Sequence, residues 1–158
     1  MEKLNPTFRI QAIPTAVLEQ LRSRGSDVSG NPIELLRAEG AEPLRCCLRS
    51  ATQGEELILC GYEPPIPNGP YRERGAIFFH ATPCSGPATG DGYPAAWRGR
   101  PQVLRAYDRR GRIRDAKVHD GNDPEAEIAR FLDDPDIAQL HSRNVAYGCF
   151  MFVVTRRT

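Results

Sequence analysis

Apolar and polar positions near the start of the chain predict a strand followed by a helix. In "TFRIQAI", apolar residues alternate with polar ones, which is typical of a strand with one buried face. Those apolar residues are Phe8, Ile10 and Ala12. The next apolar residues, Val17, Leu18 and Leu21, follow at helical spacing. Pro14 suits the first turn of this helix, and Gly25 is expected to end it.

The next segments predict short strands separated by turns. "PIELLRAEG" is ambiguous and favours an irregular strand, whereas "RCCLRS", "QGE" and "ELILCGY" predict a hairpin. In such a strand Cys46 and Cys47 would point to opposite faces. "EPPIPNGPYRERG" is too rich in proline to pair, so we expect a loop. "AIFFH" then predicts a short strand that ends at His80.

The second half of the chain opens with an irregular stretch, residues 81–100. Loops of that length in a compact domain are usually functional or disordered. "QVLRAYD" and "RIRDAKVHD" predict the clearest hairpin of the sequence. Gly111, between them, can take the positive φ that the hairpin turn requires.

The carboxyl-terminal third predicts a helix and then a buried strand. Asp123 is a suitable cap, Pro124 fits the first helical position, and Glu125 and Glu127 complement the helix dipole. The buried stripe would be Ile128, Phe131 and Leu132. "PDIAQLH" suggests a further short helical turn. "NVAYGCFMFVV" is apolar on both faces, so it predicts a strand inside a covered sheet.

Together these elements predict an α+β fold with a mainly antiparallel sheet and two or three helices. The chain of 158 residues has the length and composition of one globular domain, residues 1–158. A domain of this size can bury a sizeable core without disulfides or metals.

Charge limits the partners that we expect. The formal net charge is +1, so no overall field directs the chain to nucleic acid or to a membrane surface. Only Lys3 and Lys117 are lysines; all other basic side chains are arginines. Either recognition of anions, which arginine binds bidentately, or a coding bias towards arginine accounts for this. The oligomeric state is not indicated.

Cysteine usage and the missing apolar segments suggest a cytoplasmic protein with reduced thiols. The five cysteines are an odd number without the spacing of a disulfide framework. The first residues, "MEKLNPTFRI", lack the apolar core of a signal peptide. No run approaches the roughly 18 apolar residues of a membrane span.

His80 and Cys84 are the residues most suggestive of chemistry, and three interpretations remain open. They could act as base and nucleophile, as in thiol enzymes. They could ligate a metal together with Cys47 and a further residue. Alternatively, His80 satisfies backbone groups of the loop and the cysteines are small core residues, which cysteine often is.

The leading functional hypothesis is a small binding protein whose pocket takes a small anionic ligand. Residues that would line this pocket are Tyr71, Arg72, His80, Cys84, Trp97 and Arg143. An arginine-containing pocket with aromatic walls favours an anion. Arg143 could instead pair with Asp136 or Glu127, and Trp97 could be a core residue. The rival is a cysteine-dependent enzyme, which requires a lowered pKa for Cys84.

Three segments carry a resemblance to a known family. They are "LRCCLRSATQGEELILCGYEPP", "GPYRERGAIFFHATPC" and "HSRNVAYGCF". Together they resemble the bacterial domain-of-unknown-function family 1203, which implies a single-domain bacterial protein and brings no catalytic roles. Members of that family often have Cys-Arg-x-Cys-Leu where this chain has Leu44 to Leu48. Cys47 therefore matches the second cysteine of that pattern, and Leu44 replaces the first.

We expect no structural zinc, on geometric grounds, and no cofactor. A tetrahedral zinc site needs four ligands, usually from two short pairs. The sequence offers one intact pair, His80 and Cys84, and a strand would turn Cys46 away from Cys47. If a metal were bound, its ligands would be Cys47, His80 and Cys84, with no evident carboxylate nearby to support them.

Overall fold

A computed structural model describes residues 7–158, so residues 1–6, which begin the segment considered for a signal peptide, lie outside the described residues. The strands are β1 Phe8–Gln11, β2 Glu34–Arg37, β3 Pro43–Leu44, β4 Arg49–Ser50, β5 Glu56–Tyr62, β6 Gly75–His80, β7 Gln102–Asp108, β8 Ile113–His119, β9 Ile137–Arg143 and β10 Phe150–Arg156. The helices are α1 Thr15–Arg24 and α2 Pro124–Leu132, and Ala95–Trp97 forms a single 3₁₀ turn. This architecture confirms the α+β fold class.

Both α-helices form where local signals place them. Pro14 immediately precedes α1, and Gly25 ends it in the left-handed conformation at φ 69°, with its N–H bonded to the carbonyl of Leu21. At α2 the Asp123 side chain accepts a hydrogen bond from the N–H of Ala126, as a capping residue does. The stripe facing the core includes Ile128 and Phe131.

The first sheet has the order β1-β10-β9-β7-β8 with antiparallel neighbours. The predicted β7–β8 hairpin is confirmed, and Gly111 in its turn has φ 77°. The predicted helical turn at "PDIAQLH" is wrong, because Ile137–Arg143 forms β9 between β7 and β10. Backbone hydrogen bonds to both neighbouring strands and the burial of Leu140 and Ser142 outweigh the helical spacing of the apolar residues in this segment.

Strand β10 confirms part of the prediction made from "NVAYGCFMFVV". It lies between β1 and β9 and is buried on both faces from Phe150 to Val154. One face contributes to a hydrophobic cluster with β5 and β6, and the other to a cluster with β7 and α2. The strand does not extend back to Val145, because residues 144–149 form a turn closed by the N–H of Gly148 on the carbonyl of Asn144.

The second sheet has the order β2-β5-β6-β3-β4. Strand β3 runs parallel to β6, and the other pairs are antiparallel. The predicted hairpin between "RCCLRS" and "ELILCGY" is wrong, because β5 pairs with β2 and β6 instead. A tight turn joins β3 to β4 and contains both cysteines of "RCC". Among residues 7–158, no helix combines the length and apolar character needed to cross a membrane.

Candidate metal centre

The turn between β3 and β4, residues 45–48, brings two adjacent cysteines to the same place. It closes with a hydrogen bond of 3.0 Å from the N–H of Leu48 to the carbonyl of Leu44. Leu48 takes a positive φ of 55°, which a continuing strand would not allow. The expectation that Cys46 and Cys47 point to opposite faces is therefore wrong. Their sulfur atoms lie 3.8 Å apart, and both residues are buried.

His80, at the end of β6, faces these two sulfurs. Strand β6 lies beside β3, so its last residue reaches the turn that follows β3. The Nδ1 atom of His80 is 3.4 Å from the sulfur of Cys46 and 3.9 Å from that of Cys47. The backbone N–H of His80 also donates to the sulfur of Cys46. A single ring nitrogen thus approaches both sulfurs.

Cys84 completes a cluster of four candidate ligands. One ligand atom from each of Cys46, Cys47, His80 and Cys84 lies within 4.8 Å of all the others. A tetrahedral zinc ion, with Zn–S near 2.3 Å and Zn–N near 2.0 Å, holds its ligand atoms roughly 3.5–3.8 Å apart. The three separations among the Cys46 sulfur, the Cys47 sulfur and Nδ1 of His80 already lie close to that range. A small movement of Cys84, which is exposed, would complete the tetrahedron.

A carboxylate supports the histidine from outside the cluster. Oε1 of Glu55 lies 3.1 Å from Nε2 of His80, the ring nitrogen that faces away from the sulfurs. Arg49 holds the same carboxylate with two hydrogen bonds, of 3.0 and 2.6 Å, and the N–H of Thr52 donates to it. These bonds, led by that of Arg49, lower the pKa of Glu55 to about 2. The expectation that no carboxylate lies nearby is therefore wrong.

A hydrogen bond links the thiols of Cys46 and Cys47, and a guanidinium group lies near them. The thiol of Cys46 donates to the sulfur of Cys47, which lowers the pKa of Cys47 and raises that of Cys46. Burial of the sulfur raises the pKa of Cys84, although the residue as a whole is exposed. Besides binding Glu55, the Arg49 guanidinium lies close enough to Cys46 and Cys47 to interact electrostatically with their thiolates. A divalent ion bound by three thiolates has a net charge of −1, which the Arg49 guanidinium would offset.

The cluster lies on the wall of a cavity of about 390 Å³. The cavity is bounded by the turn after β3, the end of β6 and the loop that follows it. Its lining includes Cys47, Arg49, His80, Cys84, Thr89 and Ala96. Cys46 and Glu55 do not line the cavity, so the cluster is buried on one side and reachable on the other.

The other residues of the predicted anion pocket lie elsewhere. Trp97 is 2% exposed, stacks on Phe152 and belongs to the core. Tyr71 is exposed, and Arg72 pairs with Glu63 at the surface. Arg143 lines a different cavity and pairs with Glu73, not with the expected Asp136 or Glu127. The structure thus brings together His80 and Cys84, but His80 and Arg143 face different cavities.

Sequence reasoning missed the contributions of Cys46, Glu55 and Arg49. A strand would turn Cys46 away from Cys47, and nothing in the local pattern marks the turn that replaces it. The sequence gives only a weak indication that Glu55 lies near His80. Antiparallel pairing of "ELILCGY" with "AIFFH" in the observed register places Leu57 opposite His80. Glu55 precedes that strand by one residue and so lies close to the histidine.

The position that differs from the family pattern, Leu44, takes no part in the cluster. Leu44 is fully buried in β3, opposite Phe78 of β6, within the hydrophobic core. Four candidate ligands are present without a cysteine at this position.

Comparison with known proteins gives a family and nothing further. A family model described as a protein of unknown function, DUF1203, matches residues 41–156. That range contains the four clustered residues together with Arg49 and Glu55. No curated protein and no solved structure matches the chain.

Proposed function

The chain belongs to the DUF1203 family, whose description assigns no activity, and we propose from the side-chain geometry that it is a zinc-binding protein. The ligands are the sulfurs of Cys46, Cys47 and Cys84 and Nδ1 of His80. The observation that carries the proposal is the convergence of these four atoms within 4.8 Å. Three thiolates and one imidazole are a common ligand set of tetrahedral zinc sites. Soft thiolates favour zinc over calcium or magnesium.

The surroundings of the cluster support a metal over a mere packing of small side chains. Histidines that bind zinc usually donate their second ring N–H to a carboxylate, and Glu55 occupies that place beside His80. The backbone N–H on the Cys46 sulfur would stabilise a thiolate there. Packing alone requires neither contact.

Four protein ligands leave no open coordination position, so the ion would be structural. It would join the turn after β3, the end of β6 and the loop beginning at residue 81. This loop is irregular up to the 3₁₀ turn at Ala95–Trp97, and Cys84 would fasten it to the second sheet. The metal therefore replaces regular hydrogen bonding as the anchor of this loop.

A cysteine-dependent enzyme using Cys84 has weaker support. Such an enzyme needs a thiolate at neutral pH, whereas burial raises the pKa of Cys84. The histidine is also engaged with Cys46 and Cys47. We therefore assign the histidine and all three cysteines to one metal.

Metal analysis of protein purified without chelator tests the proposal. We expect one zinc per chain in native mass spectra, and a lower Tm after a chelator removes it. The Cys46→Ser, Cys47→Ser and Cys84→Ser variants should each lose the metal. Cys149→Ser is the matched control, because Cys149 lines the other cavity and should leave the zinc content unchanged. Wild-type protein that neither retains zinc nor binds it on titration would overturn the proposal.

A further inference from the structure

A second cavity, of about 200 Å³, lies away from the metal cluster. It is formed where the start of β6 meets the turn between β9 and β10. Its lining includes Tyr62, Glu73, Arg74, Arg143, Tyr147 and Phe150. Three aromatic side chains and two guanidinium groups therefore bound a space smaller than the roughly 300–1,000 Å³ of a drug-sized pocket.

Arg143 is held rigidly at this cavity and is largely removed from water. Its side chain is 11% exposed, and its Nε donates a 2.9 Å hydrogen bond to the carbonyl of Gly148. Its Nη1 lies 2.5 Å from Oε1 of Glu73, yet this buried atom forms no aligned hydrogen bond. The ion pair thus offsets the charge of Arg143 but leaves the N–H groups of Nη1 without an aligned acceptor.

Glu73 is shared between two guanidinium groups, so it neutralises only one of them. The same oxygen, Oε1, accepts a 2.8 Å hydrogen bond from Nη1 of Arg105. The guanidinium groups of Arg143 and Arg105 also act on His141, a buried histidine on β9. Burial, followed by the charges of Arg143 and Arg105, lowers the pKa of His141 to about 3.

A second glutamate, Glu63, is shared between two guanidinium groups near the cavity. Arg72 and Arg74 both pair with Glu63, the former closely and the latter at 3.9 Å. Arg74 itself lines the cavity. Around this region, four guanidinium groups thus face two carboxylates, and the local charge is positive although the whole chain is near neutral.

We propose that this cavity is a binding site for a small oxyanion, a carboxylate or a phosphate, with Arg143 as its main anchor and Arg74 at its entrance. A planar guanidinium held by a fixed Nε bond can present its remaining donors to two oxygens of one anion. The volume admits an ion of a few heavy atoms and excludes a nucleotide. The site is independent of the metal, because none of the four zinc ligands lines this cavity.

Calorimetric titration with inorganic phosphate and with malonate, at constant ionic strength set by chloride, tests the proposal. We expect saturable binding of at least one of them, with a Kd of about 1 mM or tighter. The preferred probe distinguishes a phosphate site from a carboxylate site. Arg143→Gln should weaken binding about tenfold to a hundredfold, the range expected for a lost charge-assisted pair. Arg143→Lys should keep only part of the wild-type affinity, because lysine cannot bind an anion bidentately.

Glu73→Gln separates a binding role of Arg143 from a structural one. If Arg143 serves only to pair with Glu73, this variant loses stability and gains no affinity. If the cavity binds anions, removing the competing carboxylate strengthens binding severalfold. Arg37→Gln is the matched control, since Arg37 is an exposed arginine paired with Glu56 at 3.6 Å. Absence of saturable binding in both wild-type and Glu73→Gln protein, or equal affinity in wild-type and Arg143→Gln protein, would overturn the proposal.

Discussion

Nε2 of His80 faces the carboxylate of Glu55, whereas Nδ1 of the same ring faces the sulfurs of Cys46 and Cys47. Oε1 of Glu55 lies 3.1 Å from Nε2 of His80, and the Arg49 guanidinium keeps the carboxylate ionised. An ionised carboxylate can only accept, so the tautomer that pairs with Glu55 carries its proton on Nε2 and keeps a lone pair on Nδ1; Nη2 of Arg49 also lies 3.2 Å from Nε2. That lone pair belongs to the nitrogen nearest the sulfurs of Cys46 and Cys47.

Replacing Glu55 by glutamine should weaken zinc binding without removing a ligand. Loss of such a carboxylate typically costs about 10–100-fold in metal affinity, because the imidazole becomes less basic and less well oriented. Competition with a chromogenic chelator measures the change. Glu56→Gln is the control, since Glu56 is the adjacent residue and its side chain is 64% exposed. Equal affinities in Glu55→Gln and wild-type protein would show that the contact does not support a metal ligand.

A cysteine at position 44 should not join the metal centre. Leu44 is fully buried in the hydrophobic core, so Leu44→Cys should lower the free energy of unfolding by about 1–3 kcal/mol through lost packing. The zinc content should stay at that of the wild type. In a double variant, Leu44→Cys should fail to restore zinc to Cys46→Ser protein. Restoration of zinc in the double variant would mean that position 44 can supply a ligand.

His141 should make the stability of the fold sensitive to mild acid. The unfolded chain binds a proton on this histidine below a pH of about 6.5, whereas its pKa in the fold is about 3. The unfolded state therefore gains protons first, and stability falls as the pH drops from about 6.5 towards 3, by up to about 1.4 kcal/mol per pH unit.

A variant that lacks the titrating ring isolates this contribution. His141→Phe keeps an aromatic ring near Tyr107 and Phe150, whose centroids lie 4.6 and 5.3 Å from that of His141. Urea unfolding between pH 6.5 and 5 should give a shallower loss of stability in the variant than in the wild type. Parallel curves for the two proteins would refute the assignment to His141.

Trp97 should contribute to stability as a core residue. It is 2% exposed, its ring lies 6.2 Å from that of Phe152 in a stacked arrangement, and its Nε1 donates to Oγ of Ser50. Trp97→Ala should cost about 3–5 kcal/mol of unfolding free energy, measured by circular dichroism in urea. Tyr147→Ala, at a position 85% exposed, should change it by less than about 0.5 kcal/mol. A similarly small change for Trp97→Ala would show that Trp97 is not a core residue.

Local signals in the sequence were enough for the elements whose ends are fixed by nearby residues. Gly25 ends α1 and Asp123 caps α2, each through contacts within a few positions along the chain. Gly111 similarly closes the β7–β8 hairpin. These features depend on backbone geometry over one or two turns, so the residue types themselves specify them. The α+β class follows from their sum.

Elements and sites that depend on distant partners could not be predicted in the same way. Strand β9 carries helical spacing, and only its pairing with β7 and β10 makes it extended. The interior position of β10 could be anticipated from its two apolar faces, but its start at Phe150 depends on the preceding turn. Local preference is worth tenths of a kcal/mol per residue, which ladder bonds and burial readily exceed.

The sequence by itself identified His80 and Cys84 as residues capable of chemistry, because their types and spacing are local properties. The sequence also named Cys47 as a further ligand if a metal were bound, but only the tertiary structure decided that Cys46 and Glu55 join the cluster. The turn over residues 45–48 brings two adjacent sulfurs together, where a strand would separate them. The parallel β3–β6 contact and the β5–β6 register then carry these side chains to His80 across 25 to 34 positions of sequence. Such convergence is set by the packing of whole strands, which no short segment encodes.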